Sequence, residues 1–300
     1  MNRNFPFLLM LAGALFLFSC EKEVKFDLGP SAEKVVVEGA IETDVPPYVI
    51  LTKSFGFFSR IDLKTLNNAF LHDARITISD GSQSFLLREY QVDNNGTPVY
   101  FYSVDSSDIN ALLFRGRAGR TYQLKIEYGG KTYESATTIP YAKALDSIWA
   151  ETPKAEEIPK DYPNSMLLFA QYTDPDTLGN RVRYFTKTNQ EPFLAPYYSV
   201  NDDAIINGSK ITIQLSAGFD RMDTIDRETF GYFYKGDTVV IKWSAIDKGV
   251  FDFWRTLEFS YAANGNPFAS PVHVTSNISN GALGVWAGYS NTFDTLIIPK

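Results

Sequence analysis

The chain has 300 residues, 35 of them acidic and 28 basic, for a formal net charge of −7. That balance sets it against nucleic acid and anionic lipid surfaces, which attract excess positive charge. Its one cysteine allows no intramolecular disulfide, so stability rests on burial. A content of 44% hydrophobic and 15% aromatic residues can supply that, and the length favours two domains.

Residues 1–19 read as a signal peptide. Arg3 supplies a positive start, and residues 5–18 form an apolar run shorter than the roughly 20 residues of a membrane span. The sequence Leu17-Phe18-Ser19-Cys20 resembles a bacterial lipobox, although Phe18 is bulkier than the usual residue at its place. In a lipobox, cleavage ahead of the cysteine lets its sulfur carry a diacylglyceryl group and its new amine a further acyl chain, and several chains anchor stably where one is marginal. An ordinary signal peptide cut near a cysteine and an uncleaved anchor are the alternatives. Cys20 is therefore expected to be the lipid attachment site rather than a nucleophile, since it precedes any folded scaffold. Residues 20–33 form the lipidated tether. Within it, Glu21-Lys22-Glu23 resembles the export tract of Bacteroidota lipoproteins sent to the outer face of the outer membrane. A solvated tether facing the periplasm is the other reading.

Beyond the tether the chain reads as mainly β. Strands are expected at 34–42 and 48–53, and Asp80-Gly81 joins strands at 74–79 and 85–88. Another strand is expected at 99–102. The clearest hairpin is 121–128 with 131–137 about Gly129-Gly130. Residues 34–141 are therefore read as an immunoglobulin-like β-sandwich by architecture, without a Cys–Trp–Cys core. Residues 142–300 form a second β-rich domain with strands at 145–150, 166–172, 182–188, 211–215 and 238–246, and with 152–164 as a Pro-rich, charged loop. Alternation fails over 249–262, where Phe251, Trp254, Leu257, Glu258 and Tyr261 recur at helical spacing, so one amphipathic helix is expected there. Residues 277–284, NISNGALG, read as a turn-rich loop with left-handed positions that returns the last strands, 288–289 and 295–298, to the sheet.

Catalytic chemistry finds little foothold. The two histidines, His72 and His273, stand far apart with no accompanying ligand pattern, and no nucleophile elbow, P-loop or dinucleotide fingerprint occurs. Asp174-Pro175-Asp176 and Asn201-Asp202-Asp203 could offer oxygens to calcium but read as turns, so no metal and no cofactor are expected. Aromatic side chains are the best binding material: Phe57 and Phe58, Tyr197 and Tyr198, and Tyr232 and Tyr234 cluster beside Gly or Pro and could stack on a sugar or a partner. Packing within strands is the competing role, and it is favoured for 230–234. Ser147, Thr177, Thr224, Thr238 and Thr295 each follow Asp and precede an aliphatic residue, which resembles the O-glycosylation motif of exported Bacteroidota proteins.

Two series of residues point to a family. The first is Val35-Val36-Val37-Glu38-Gly39, then Pro47 to Leu51, then Thr137-Thr138-Ile139-Pro140 ahead of Leu145 to Trp149. The second is Phe253 to Leu257, Asn266-Pro267-Phe268 and Ser276 to Trp286. In their order and spacing they resemble a Bacteroidota outer-membrane lipoprotein family known as domain of unknown function 4249. The resemblance implies an outer-membrane lipoprotein associated with a TonB-dependent transporter, and it brings no catalytic residues. The expected function is thus a noncatalytic surface lipoprotein that aids such a transporter in ligand capture or complex stability. A surface glycan- or peptide-processing enzyme with an unrecognised carboxylate site, or a structural or adhesion module, are the alternatives.

Overall fold

The computed structural model describes residues 32–55, 65, 68–94, 96–221, 229–263, 270 and 272–300. The fold is mainly β. A central eight-stranded sheet runs in the order β12-β11-β15-β16-β1-β2-β6-β5. Its members are β1 (Val35–Glu42), β2 (Tyr48–Lys53), β5 (Arg88–Asn94), β6 (Thr97–Ser103), β11 (Arg181–Thr188), β12 (Val200–Asp202), β15 (Thr238–Ala245) and β16 (Leu283–Ile297). Strands from both sides of residue 142 thus share one continuous sheet.

Each half of that sheet is covered by a smaller layer. In the first half these are β3 (Arg75–Ser79), β4 (Ser84–Leu86), β7 (Thr121–Tyr128) and β8 (Lys131–Thr138), in the order β4-β3-β7-β8, with the short helix α1 (Ile109–Leu112) nearby in sequence. The β7–β8 hairpin turns at Gly129 and Gly130, both left-handed, as that tight turn requires. Along β7 burial alternates, so that Tyr122, Leu124 and Ile126 meet Val37, Ile41, Val49 and Leu51 of the central sheet in one core. In the second half, β10 (Ser165–Thr173) pairs with β9 (Ser147–Glu151), β13 (Lys210–Leu215) and β14 (Phe233–Tyr234). There Leu168, Ala170 and Tyr172 pack on Tyr184, Val239, Ile241 and Trp243 in a second core.

The expected helix forms as α2 (Lys248–Ala263). It buries Val250, Phe251 and Phe253 against Ala40, Val285, Ala287 and Tyr289, on the face of the central sheet opposite the first core. The segment expected to hold two short terminal strands is instead the single strand β16. Its polar middle remains in the ladder because Asn291 and Thr292 find partners on neighbouring strands: Asn291 donates to Glu42, and Thr292 donates to the Trp243 carbonyl.

β16 pairs in parallel with β1, from Val36 opposite Leu283 to Glu42 opposite Tyr289. At the centre Trp286 stands across from Gly39, and a Cβ on Gly39 would come within 2.8 Å of the indole, so only glycine leaves the ring its place. The indole N–H donates to the Tyr122 carbonyl at 3.0 Å, which ties the two layers together. The loop ahead of β16 is structural: the Asn277 side chain receives the Trp286 N–H and donates to its carbonyl, while Asn280, Gly281 and Gly284 take left-handed conformations. Gly284, at φ +106°, lies so close to β1 that a Cβ would sit 1.8 Å from the Val37 carbonyl oxygen. Gly284→Ala therefore combines backbone strain with a clash and is expected to cost about 3 kcal/mol or more. Gly281→Ala, in open space, is expected to cost only about 1 kcal/mol. Equilibrium urea unfolding of both variants checks this, and equal costs would refute the role given to Gly284.

Candidate functional site

Beyond Phe253 the helix and the sheet part, and the gap is a cavity of about 520 Å³. Its floor is Val36 and Glu38 of β1 with Leu283 and Val285 of β16, and its roof is Trp254, Leu257 and Tyr261 of α2. Val274 and Ser276 contribute to the wall, and Arg183 and Arg221 are its cations. The volume lies within the roughly 300–1,000 Å³ of pockets that enclose small molecules, and the combination of apolar walls with a few polar groups is typical of them.

Arg183 is 4% exposed because β11 is covered on both faces, and its register places it between Val200 of β12 and Ser244 of β15. Its guanidinium is held on several sides. Nε donates to Ser199 Oγ at 3.1 Å, Nη1 donates to the Tyr289 hydroxyl at 3.0 Å, and the charged carbon lies 3.4 Å from the Trp254 ring centroid. Trp254 Nε1 donates to the same hydroxyl at 3.0 Å. Ser199 passes the network on to Glu258, to which it donates both its hydroxyl and its backbone N–H. Glu258, 2% exposed on the inner side of α2, also has Arg221 at 3.7 Å. Burial pushes the Glu258 carboxyl above its ordinary pKa, and the Ser199 bonds and the two guanidiniums pull against that shift. Farther along the same sheet face Lys242 pairs with Glu42 at 2.7 Å, and Asn291 bonds Glu42 and Ser244.

Glu38 differs from all of these. It is exposed where it lines the cavity, and among the described residues its carboxylate has no hydrogen-bond or ion-pair partner. Desolvation by the surrounding protein raises its pKa from 4.5, with the charge of Arg183 opposing.

Two of the residues expected to bind ligand stand close to this site. The Tyr197 ring lies 6.2 Å from Phe219 and 5.9 Å from Phe230, and Tyr198, 53% exposed, lies 6.2 Å from Phe259 of α2. Phe219 in turn faces the Arg221 guanidinium, so the aromatic cluster continues into the cavity wall. Tyr232 and Tyr234 lie elsewhere. The Tyr232 hydroxyl donates to the Glu157 carbonyl and Tyr234 meets Tyr162, both in the 152–164 loop, while Phe233 between them is buried in the second core. Both tyrosines therefore make their contacts with that loop. Phe57, Phe58, Cys20 and Thr224 lie outside the described residues. Ser147, Thr177 and Thr295 are exposed, and Thr238 is half-buried at the start of β15. Asp174 and Asp203 line a second, smaller cavity, where Asp203 holds a turn by accepting the Gly179 and Asn180 backbone N–H groups.

Arg183, Arg221 and Glu38 were not singled out from sequence. The one available signal was Glu258, a carboxylate within the apolar stripe of the helix, which must find a buried partner. Together these features define a β-rich protein with a largely apolar, charge-tipped cavity between one sheet face and its helix. The family model described as Domain of unknown function (DUF4249) matches residues 21–294, and the chain belongs to this family. No curated protein matches the chain at a significant level.

Glu258→Leu leaves Arg183 without its buried counter-charge and is expected to cost about 3–5 kcal/mol, measured by chemical denaturation. Removing the exposed Lys248–Asp252 pair with Lys248→Ala is expected to cost less than about 0.5 kcal/mol. For Glu38 the sign follows from its raised pKa. The folded state takes up a proton more readily than the unfolded chain, so the stability this group contributes is present below pH 4.5 and is lost as pH rises through the raised value. Glu38→Gln is therefore expected to have a higher Tm than the parent at neutral pH, with the difference closing as pH falls toward 4.5. Thermal unfolding across that range checks it, and a gap that widens on acidification would contradict it.

Proposed function

We propose that this chain is a noncatalytic lipoprotein of the Bacteroidota outer membrane, held by acylated Cys20 and facing the cell exterior, that holds a small ligand in the α2 cavity for a TonB-dependent transporter. The cavity carries this reading. It is large enough for a ligand, mainly apolar, and backed by a rigid polar network, all of which suit recognition. Among its described lining residues Glu38 is the only carboxylate, whereas hydrolysis of a glycosidic bond commonly uses two flanking carboxyl groups. The lipobox-like stretch before Cys20 supports the anchor. Among the described residues no helix is long and apolar enough to cross a membrane.

Mild crosslinking of native membranes followed by purification of the chain is expected to recover a TonB-dependent transporter. Its absence, together with turnover of a glycan or peptide library, would overturn the proposal in favour of an enzyme. Cys20→Ala is expected to move the protein out of the membrane fraction, and unchanged partitioning would refute the anchor.

A further inference from the structure

β16 outruns its neighbour on one side. β1 accompanies it from Leu283 to Tyr289, whereas β15 accompanies it from Ser290 to Ile297. The second half of β16 therefore has one paired edge and one open edge. Hydrogen bonds at its two ends show which residues face each way. Just past the strand, Ile298 donates its N–H to the Asp237 carbonyl and accepts the Gly236 N–H, on the β15 side. Tyr289 accepts the Thr43 N–H and Asn291 donates its N–H to Thr43 Oγ1, on the β1 side. These directions alternate along an antiparallel ladder, so Phe293, Thr295 and Ile297 turn their N–H and C=O groups to the open edge. Among the described residues those groups have no hydrogen-bond partner there. The side chains of the same residues share a face with Tyr289 yet stay in solvent: Phe293 is 57% and Ile297 70% exposed, and the exposed Phe193 ring lies 5.9 Å from that of Phe293. Edges are usually blunted by lysine, proline or a bulge. This one has none of them between Asn291 and Ile297, where its register against β15 is unbroken, and Pro299 comes only after it. Asp294, the one charged residue of the segment, points to the opposite face.

We propose that this edge is where two copies of the chain pair, β16 against β16 of the second copy, antiparallel about a two-fold axis through Thr295. The chemistry of the strip selects that occupant. A row of unpaired N–H and C=O groups takes an extended backbone, and the outward side chains, apolar then Thr then apolar, read alike in both directions. An antiparallel copy sets Phe293 opposite Ile297 of the second copy, Thr295 opposite its own equivalent, and Ile297 opposite Phe293. Each outward residue then faces an outward residue, which is the arrangement in which a pair exchanges both its backbone bonds. The apolar side chains meet across the strands on the same face, as stabilising cross-strand pairs do. No outward side chain is charged, so two chains of net charge −7 meet through a neutral strip.

The test is disulfide formation in the full chain, purified in detergent and oxidised with copper phenanthroline. The parent chain, whose one cysteine is Cys20, sets the background. Thr295→Cys places two sulfurs across the axis on Cα atoms about 5.5 Å apart, within disulfide reach. Ile297→Cys leaves its two copies roughly 14 Å apart, beyond that reach. Thr295→Cys is expected to give a reducible dimer at least about tenfold above background, and Ile297→Cys to stay near it. A mixture of Phe293→Cys and Ile297→Cys chains is expected to crosslink where each alone does not, because the two positions face each other. All three positions are exposed, so the substitutions leave the fold intact. Any other pattern overturns the proposal: background levels throughout would leave the edge to a different extended segment, and equal yields from Thr295→Cys and Ile297→Cys would mean chance encounter.

Discussion

β16 lies between β15 and β1, antiparallel to the first and parallel to the second, and so joins the C-terminal end of the fold to its first described strand. Because successive side chains on a strand point to opposite faces, this one register assigns every residue of β16 a side. Trp286 enters the core under β7, whereas Val285, Ala287 and Tyr289 face the helix. A slip by one residue would exchange the two sets, driving an indole toward α2 and a tyrosine hydroxyl into an apolar layer. Gly39 and Gly284 oppose the slip physically: a Cβ at Gly39 would press on the Trp286 ring, and one at Gly284 would clash with the Val37 carbonyl. The cavity inherits its floor from the same register, since Glu38 and Val285 are paired residues and therefore neighbours on one face.

Covering the central sheet on both faces has an electrostatic consequence. A sheet with one face in water can leave charged residues solvated, but here Arg183 and Tyr289 lie beneath the helix, and Glu258 is buried on the helix's inner side. Each must find partners inside the protein, and the chain from Glu258 through Ser199, Arg183 and Tyr289 to Trp254 supplies them. Such a network adds little net stability compared with apolar packing, but breaking it leaves a buried charge alone at a cost of about 3–5 kcal/mol. Its effect is therefore on shape: it fixes the angle of Trp254 and the position of α2, and with them the roof of the cavity.

Local pattern carried much of the architecture. The alternation of residues 121–128 and the two glycines that follow were sufficient for the β7–β8 hairpin, and the change from period 2 to helical spacing located α2 to within about a residue at each end. The site was far less legible. Glu38 sits in a run that reads as an ordinary first strand, and only its pairing with a strand nearly the whole chain away turns it into a cavity wall. Arg183 looks like a solvent-facing residue of a half-exposed strand until α2 is laid across it. The continuity of β16 was hidden for a related reason: its polar middle suggests a break, and the partners that keep it in the ladder come from β1 and β15. Tyr197 and Tyr198 were legible as binding material by ring chemistry alone, but the same reasoning also selected Tyr232 and Tyr234, which pack against a loop.

The two cavity arginines differ in how firmly they are held, and this bears on how the site can receive a ligand. Arg183 makes short hydrogen bonds at 3.0 and 3.1 Å and lies against an indole, so moving it would unmake the network that positions the helix. Arg221 is more exposed, reaches Pro196 at 3.4 Å and Glu258 at 3.7 Å, and otherwise rests on ring faces of Phe219 and Tyr261. Contacts of that length are weak, so Arg221 can change position at little cost while Arg183 cannot. The cavity thus combines a fixed wall with an adjustable one, and the adjustable one abuts the aromatic cluster of Tyr197, Phe219 and Phe230. A rigid wall lowers the ordering cost of binding, and a movable wall admits bodies of somewhat different size. For the capture role proposed above that division is useful, because a captured ligand must be both held and released.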